Sequence, residues 1–220
     1  MEHMDEKIVA MMRELEEQQR RESEVGSARA AEQGVTEEPE RLAPLSNYPE
    51  RIGEEWVPFG QQELLGGRLL AFLPRAFRLL TPEEARLKFP SEHRPSIIYA
   101  DDEGAITIAF SLSDYTLTEE GVPDFTEEMV KLLRSMQPIR RWIGHRVTER
   151  ADGQAMGCCE FISPALDEPL YNYMAFVVLD GQALMCSFNC TERAMALWQP
   201  LAHRMMYSLA LADGQEVEEG

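Results

Sequence analysis

The stretch Met174-Ala-Phe-Val-Val-Leu179-Asp-Gly-Gln-Ala-Leu184-Met-Cys-Ser-Phe188 decides the architecture. Its centre, Asp180-Gly181, tolerates the positive φ that both central residues of a type I′ turn require, so the spacing predicts a hairpin of Tyr171–Leu179 with Gln182–Phe188. A sheet with one wet face alternates apolar and polar residues. Here the first run is apolar at both parities and the second nearly so, and both faces of the sheet must therefore be covered.

Upstream, Asp152-Gly153 separates Trp142–Arg150 from Gln154–Ile162, which predicts a second Asp-Gly hairpin with a type I′ turn. Asp101-Asp102-Glu103-Gly104 separates Ser96–Ala100 from Ala105–Leu112 and predicts a third. Before these, Gly66-Gly67 suggests a turn or bulge feeding a first strand through Leu69–Leu73.

Three helices punctuate the strands. Thr81 as cap, Pro82 at the first helical position and Glu84 three residues after the cap announce a short one, which Phe89-Pro90 ends. A longer one is expected from Asp124 as cap to about Gln137, where Pro138 stops it, with Phe125, Met129, Leu132, Leu133 and Met136 as its buried stripe. The last begins near Thr191 and puts Met195, Trp198, Leu201, Ala202, Met205 and Leu209 on one face, with Pro200 expected to kink or divide it. A helix before and a helix after the antiparallel meander imply an α+β fold: an α/β/α sandwich with a mainly antiparallel sheet covered by helices on both faces.

That domain is expected over residues 63–212. Residues 1–62 read as a disordered acidic tail, because Glu16 to about Pro58 is too rich in Glu, Gln, Arg, Gly and Pro to offset the entropy of ordering its backbone. A short amphipathic helix is expected at about 4–22, since Met4, Ile8, Met11 and Leu15 fall on one stripe; residues 213–220 read as a disordered acidic C-terminus. An apolar stripe on a tether is a common way to dock into a partner's groove, which makes Met4, Ile8, Met11 and Leu15 candidate partner-binding residues.

Charge narrows the partners. The 220 residues carry a formal charge of -18, with 15 acidic against 7 basic residues up to Gln62 and 24 against 14 after it. Phosphate binding needs clustered Lys and Arg, so nucleic acid is not expected. The first 22 residues hold acids from the second position on and read as no secretory signal, and no apolar run approaches the roughly 18–20 residues that span a bilayer. The expectation is a cytoplasmic protein without membrane insertion. In that compartment Cys158, Cys159, Cys186 and Cys190 read as free, mostly buried thiols.

The order of elements, together with Leu87-Lys-Phe-Pro-Ser-Glu-His-Arg-Pro95, Phe110-Ser-Leu112 and Phe161-Ile-Ser-Pro-Ala-Leu-Asp167 followed by Tyr171-Asn172, resembles the PsbP/DcrB-like superfamily over about Gly66 to Leu211, above all its uncharacterised bacterial members. The resemblance implies an interaction module. Members include photosystem II extrinsic proteins, a Ran-binding nuclear import factor, cell-envelope lipoproteins and cytosolic chaperones for transmembrane segments of secreted effectors. The chain shows neither a transit peptide nor a lipobox cysteine, so the adaptor and chaperone roles are the ones expected.

Candidate chemistry is sparse. Cys186, Cys190, His203 and His93 are the residue types for zinc, but Cys186-x-x-x-Cys190 straddles a strand end and His203 falls on the polar side of its helix. For nucleophilic catalysis, Cys158, Cys159 or Ser163 with His145 supply the types, Asp167 adds an acid, and Cys158 shares a strand face with Glu160. None has a motif around it, and Gly66-Gly67 precedes a strand rather than a phosphate-binding helix. No catalytic, cofactor-binding or metal residue is therefore assigned and no cofactor is expected. The expected function is a non-enzymatic, protein-binding adaptor or chaperone; the alternatives are a chaperone for hydrophobic effector segments, for which twelve methionines would suit a yielding apolar groove, and an enzyme built on Cys158, Cys159 or Ser163.

Overall fold

The computed structural model describes residues 42–89, 94–136 and 138–211. The stripe Met4, Ile8, Met11 and Leu15, its helix at 4–22, His93 and the C-terminal residues 213–220 lie outside the described residues.

In chain order the elements are β1 (Glu50–Ile52), β2 (Glu55–Val57), β3 (Phe59–Leu64), β4 (Leu69–Pro74), β5 (Arg78–Leu79), α1 (Pro82–Lys88), β6 (Ile97–Ala100), β7 (Thr107–Thr116), α2 (Val122–Met136), β8 (Arg141–Glu149), β9 (Ala155–Ser163), β10 (Leu170–Leu179), β11 (Gln182–Thr191), α3 (Met195–Tyr207) and β12 (Ala210–Leu211). Seven strands form one sheet in the order β5-β6-β7-β11-β10-β9-β8, with every neighbouring pair antiparallel. From β7 the chain crosses one face as α2 and lands at the far rim as β8. It then meanders back until β11 pairs with β7.

Strict alternation sends successive side chains of β10 to opposite sides. Tyr171, Tyr173, Ala175 and Val177 join Cys186, Phe188, Leu201 and Met205 in a core under α3, and Met174 and Phe176 join Phe125, Met129 and Leu133 in a core under α2. The α2 side also carries α1, whose Phe89 packs on Ile98 and Ala109. The fold class expected from sequence is the one observed. The larger of its two additions is a three-stranded sheet, β12-β4-β3, which shares the α3 side and adds Phe59, Leu64, Leu69, Ala71 and Leu73 to that core.

Local chemistry explains the ends. At α1, Thr81 accepts from the Glu84 amide while Glu84 reaches back to the Thr81 amide, a reciprocal cap with Pro82 at the first turn. The Asp180-Gly181 turn has positive φ at both residues, as type I′ requires.

Several expectations are corrected. At Asp152-Gly153 only Gly153 is left-handed, and its amide bonds to the Arg150 carbonyl while Arg150 N bonds to the Gln154 carbonyl; one extra residue turns the hairpin into a bulged loop. Asp124 is not a cap: a 3₁₀ turn at Glu119–Gly121 leads directly into α2, with Pro123 tolerated in the first turn. Met136 is exposed at the fraying end, and Val122, Thr126 and Val130 take up burial in the stripe. β11 holds its ladder to Thr191, so α3 starts at Met195, and it runs through Pro200 as one element.

The tether reading of Glu16 to Pro58 does not hold for its last part. β1 and β2 form a hairpin there, with Leu45 and Ile52 in the α3-side core, Leu45 N donating to Ser208 Oγ at 2.7 Å, and Arg204 gripping Glu50 through two bonds of 2.6 and 2.8 Å. A few apolar residues suffice because α3 supplies polar anchors beside them.

Candidate functional site

Two charged side chains among the described residues are buried, Arg150, which pairs with Asp152 at the hairpin end, and Glu160, which stands in mid-sheet. On β9, Met156, Cys158, Glu160 and Ile162 share the parity that faces α3, and Glu160 stands there with a side chain 5% exposed. Its carboxylate takes 2.7 Å bonds from the Tyr171 hydroxyl and the Gln199 amide, and Arg146 Nη1 reaches it at 3.4 Å from β8. His203 Nε2 stands 3.0 Å from Glu160 Oε1, at ion-pair distance. Gln199 and His203 meet one carboxylate because residues four apart share a helix face. The His203 ring also rests 4.7 Å from that of Tyr173.

The electrostatics follow from this shell. Burial opposes the charge on Glu160, but His203, Tyr171 and Gln199 outweigh it and bring the carboxyl down to about 2. Burial and the neighbouring carboxylate push the Tyr171 phenol well up, so it remains a donor. An ionised carboxylate with four partners has no free basicity to spend as a catalytic base. It ties α3 and β8 to the sheet, and His203, read from sequence as a polar-side residue, faces inward because this carboxylate pairs with it.

Beside this cluster the sheet stops at β8, and among the described residues no strand pairs with its outer side. The bond from Arg150 N to Gln154 O sets the phase: even positions of β8 turn their peptide groups toward β9, and His145, Val147 and Glu149 turn theirs outward. A bulge between Trp142 and Gly144 ends the regular edge on one side, and the turn at Arg150 ends it on the other. On the α2 face the Trp142 ring stacks on Phe161 with centroids 5.6 Å apart, the Arg134 guanidinium lies 4.4 Å over it, and His145 Nε2 sits 3.0 Å from Glu127 Oε1. Ile143 and Val147 are left 38% and 43% exposed.

The residues weighed for chemistry do not assemble. Cys158, Cys159, Cys186 and Cys190 are free and buried, and burial raises every one of these thiols, Cys186 and Cys190 to about 12. Ser163 is held by the Asn172 amide at 2.9 Å, while His145 is engaged with Glu127 at the rim. No three His, Cys, Asp or Glu side chains among the described residues form a group that could hold a metal, and no described helix is long and apolar enough to cross a membrane. Sequence reasoning passed over the β8 edge and met Glu160 only as a residue on the strand face of Cys158. Their signals were a single acid inside the apolar run Met156–Ser163, and a strand, Arg141–Glu149, that is polar at both parities.

No protein-family model matches the chain, and no curated protein matches it either. Solved structures do. The solution structure of cyanobacterial PsbP (CyanoP) from Synechocystis sp. PCC 6803 superposes with a TM-score of 0.51 at 15% identity, covering 72% of this chain and 95% of that one. A protein of unknown function from Pseudomonas aeruginosa, PA94, covers 69% and 96% at 10% identity with a TM-score of 0.41. LpqN of Mycobacterium tuberculosis, involved in cell envelope biogenesis, covers 74% and 95% at 13% identity with the same TM-score. The likeness to the cyanobacterial protein shows a PsbP-like fold, in keeping with the resemblance read from the sequence.

Proposed function

We propose that the domain is a non-catalytic protein-binding module that takes an extended segment of its partner onto the outer edge of β8. One observation carries this reading: a nine-residue rim strand with outward peptide groups uncovered and with Ile143 and Val147 exposed along it. Strand addition uses such groups for affinity and the flanking side chains for selection. Natural sheets blunt their rims with bulges and charge; β8 has a bulge at one end only and keeps a regular stretch from Gly144 to Glu149.

Against the enzyme reading stand the buried thiols, whose pKa values burial raises, and Ser163, whose Oγ accepts from the Asn172 amide. Against the chaperone version, six of the described methionines, Met129, Met156, Met174, Met185, Met205 and Met206, fill the two cores rather than line a groove.

The Val147→Pro variant tests the proposal. Proline removes an N–H that points away from β9, so the intrachain ladder survives while strand addition is blocked. Crosslinking and mass spectrometry of wild type and variant purified from the native cell should show partner recovery falling at least about tenfold at an unchanged melting temperature, a loss of about 1.4 kcal/mol. Equal recovery from both would sink the reading.

A further inference from the structure

We infer that β8 pairs antiparallel with β8 of a second copy of this chain, about a two-fold axis through Val147. The inference rests on the reading of β8 as a binding edge and names its occupant. Only odd positions between the bulge and the Arg150 turn offer outward peptide groups, and a two-fold axis through His145, Arg146, Val147, Thr148 or Glu149 sets odd against odd. An axis at Arg146 opposes that cationic residue to its own copy and leaves Glu149 facing the bulge, and an axis at Thr148 puts the exposed Val147 against Glu149 and Arg146 against Arg150 at the turn. Charge then chooses. An axis at His145 sets that residue against itself and runs into the bulge at Trp142–Gly144. An axis at Glu149 opposes two carboxylates and runs into the hairpin turn.

The axis at Val147 places His145 opposite Glu149 of the second copy, twice, and the exposed Val147 against its own counterpart. His145, Val147 and Glu149 pair with Cys159, Gly157 and Ala155 of β9, so all three share the α2 face and the opposed side chains stand on one side of the joined sheet. On the other face Arg146 comes opposite Thr148, with its guanidinium already drawn back to Glu160. The outward peptide groups at the three odd positions are then all matched within the regular stretch. The edge is palindromic in charge and shape.

A charge of -18 per chain opposes bringing two copies together, so the contact is read at physiological salt, where fields fade over about 8 Å. Sedimentation over about 1 to 200 µM should show a reversible dimer of the full chain. A Val147→Cys variant should oxidise to a covalent dimer, because residues facing across such an axis have Cα atoms about 5.5 Å apart, within disulfide reach. The four native cysteines are buried and give no background. Leu166→Cys, on a loop residue 81% exposed, serves as the collision control and should stay monomeric. Glu149→Lys should weaken the dimer at least about fivefold by removing the carboxylate that faces His145.

A chain that remains monomeric throughout, with Val147→Cys no more crosslinked than Leu166→Cys, would overturn the inference. So would efficient crosslinking through His145→Cys in place of Val147→Cys, which marks another register. If the chain is monomeric yet Val147→Pro still loses its cellular partner, self-pairing falls and strand addition stands; if Val147→Pro also costs nothing, both fall.

Discussion

The two faces of the central sheet are held by different physics. Under α2 the interface is dry and closes by shape: Phe125 meets Phe176 edge-on at 5.7 Å, and Thr126 descends onto Gly157, where any side chain would collide with it. Under α3 a carboxylate is buried and surrounded by donors from three elements. Shape holds the first interface tightly but gives no preference among protonation states. Charge positions the second, and it reaches the rim: Arg146, which belongs to the open edge strand, is one of the groups Glu160 holds. The wet face thereby fixes the strand on which the proposed contacts depend.

The largest test removes the anchor of the wet face. Glu160→Ala leaves the Tyr171 hydroxyl, the Gln199 amide and the His203 ring without their acceptor in a buried site, a class of change that costs about 3–5 kcal/mol. Urea unfolding should show that loss, and hydrogen exchange should rise in α3 and along β8 before α2. Uniform exchange across both faces would mean that Glu160 anchors neither α3 nor β8 in particular.

Acid should separate the faces without mutation. The folded Glu160 carboxyl lies at about 2, below its ordinary 4.5, so its contribution is complete above about pH 4.5 and drains as the pH falls toward 2. Linkage puts the loss at about 3 kcal/mol. Among the described residues no carboxylate is buried under α2; Glu84 of α1, also held down at about 2 by Arg78 and the Thr81 cap, lies at the surface, and Glu160→Gln, once its constant penalty is subtracted, should flatten the part of the acid limb that belongs to the α3 side. An unchanged limb would show that the carboxylate is not ionised inside the fold.

These differences also mark what could be read from the sequence. The dry side was legible because periodicity speaks for it: apolar parity in Met174–Leu179 and the stripe through Phe125, Met129 and Leu133 place helix and sheet together. The wet side was legible only as an oddity, an acid among Cys158, Cys159 and Phe161, because its meaning depends on Gln199 and His203 arriving from about forty residues downstream. β1 and β2 escaped for a similar reason: Leu45 and Ile52 form no periodic pattern, and what orders them is the grip of Arg204 and Ser208 on the far side of the fold. The openness of β8 depended on topology, since nothing local says that the crossover leaves this strand at the rim.

The smallest effect expected belongs to the dry face, and it concerns one methyl group. A Cβ at Gly157 would fall 1.7 Å from Thr126 Oγ1 and 3.0 Å from its Cβ, and Thr126 is buried with its hydroxyl committed to the Val122 carbonyl at 2.7 Å. The hydroxyl cannot swing away without losing that bond, so Gly157→Ala must push α2 off the sheet, at about 1–3 kcal/mol for an overpacked core. Adding Thr126→Ala removes the closest atom and should return part of the loss, a coupling readable in a double-mutant cycle. Acid sensitivity should be untouched by either change, because the Glu160 cluster lies on the opposite face. If Gly157→Ala instead shifted the acid limb, the two faces would not be mechanically independent, and the sheet between them would be passing strain from shape to charge.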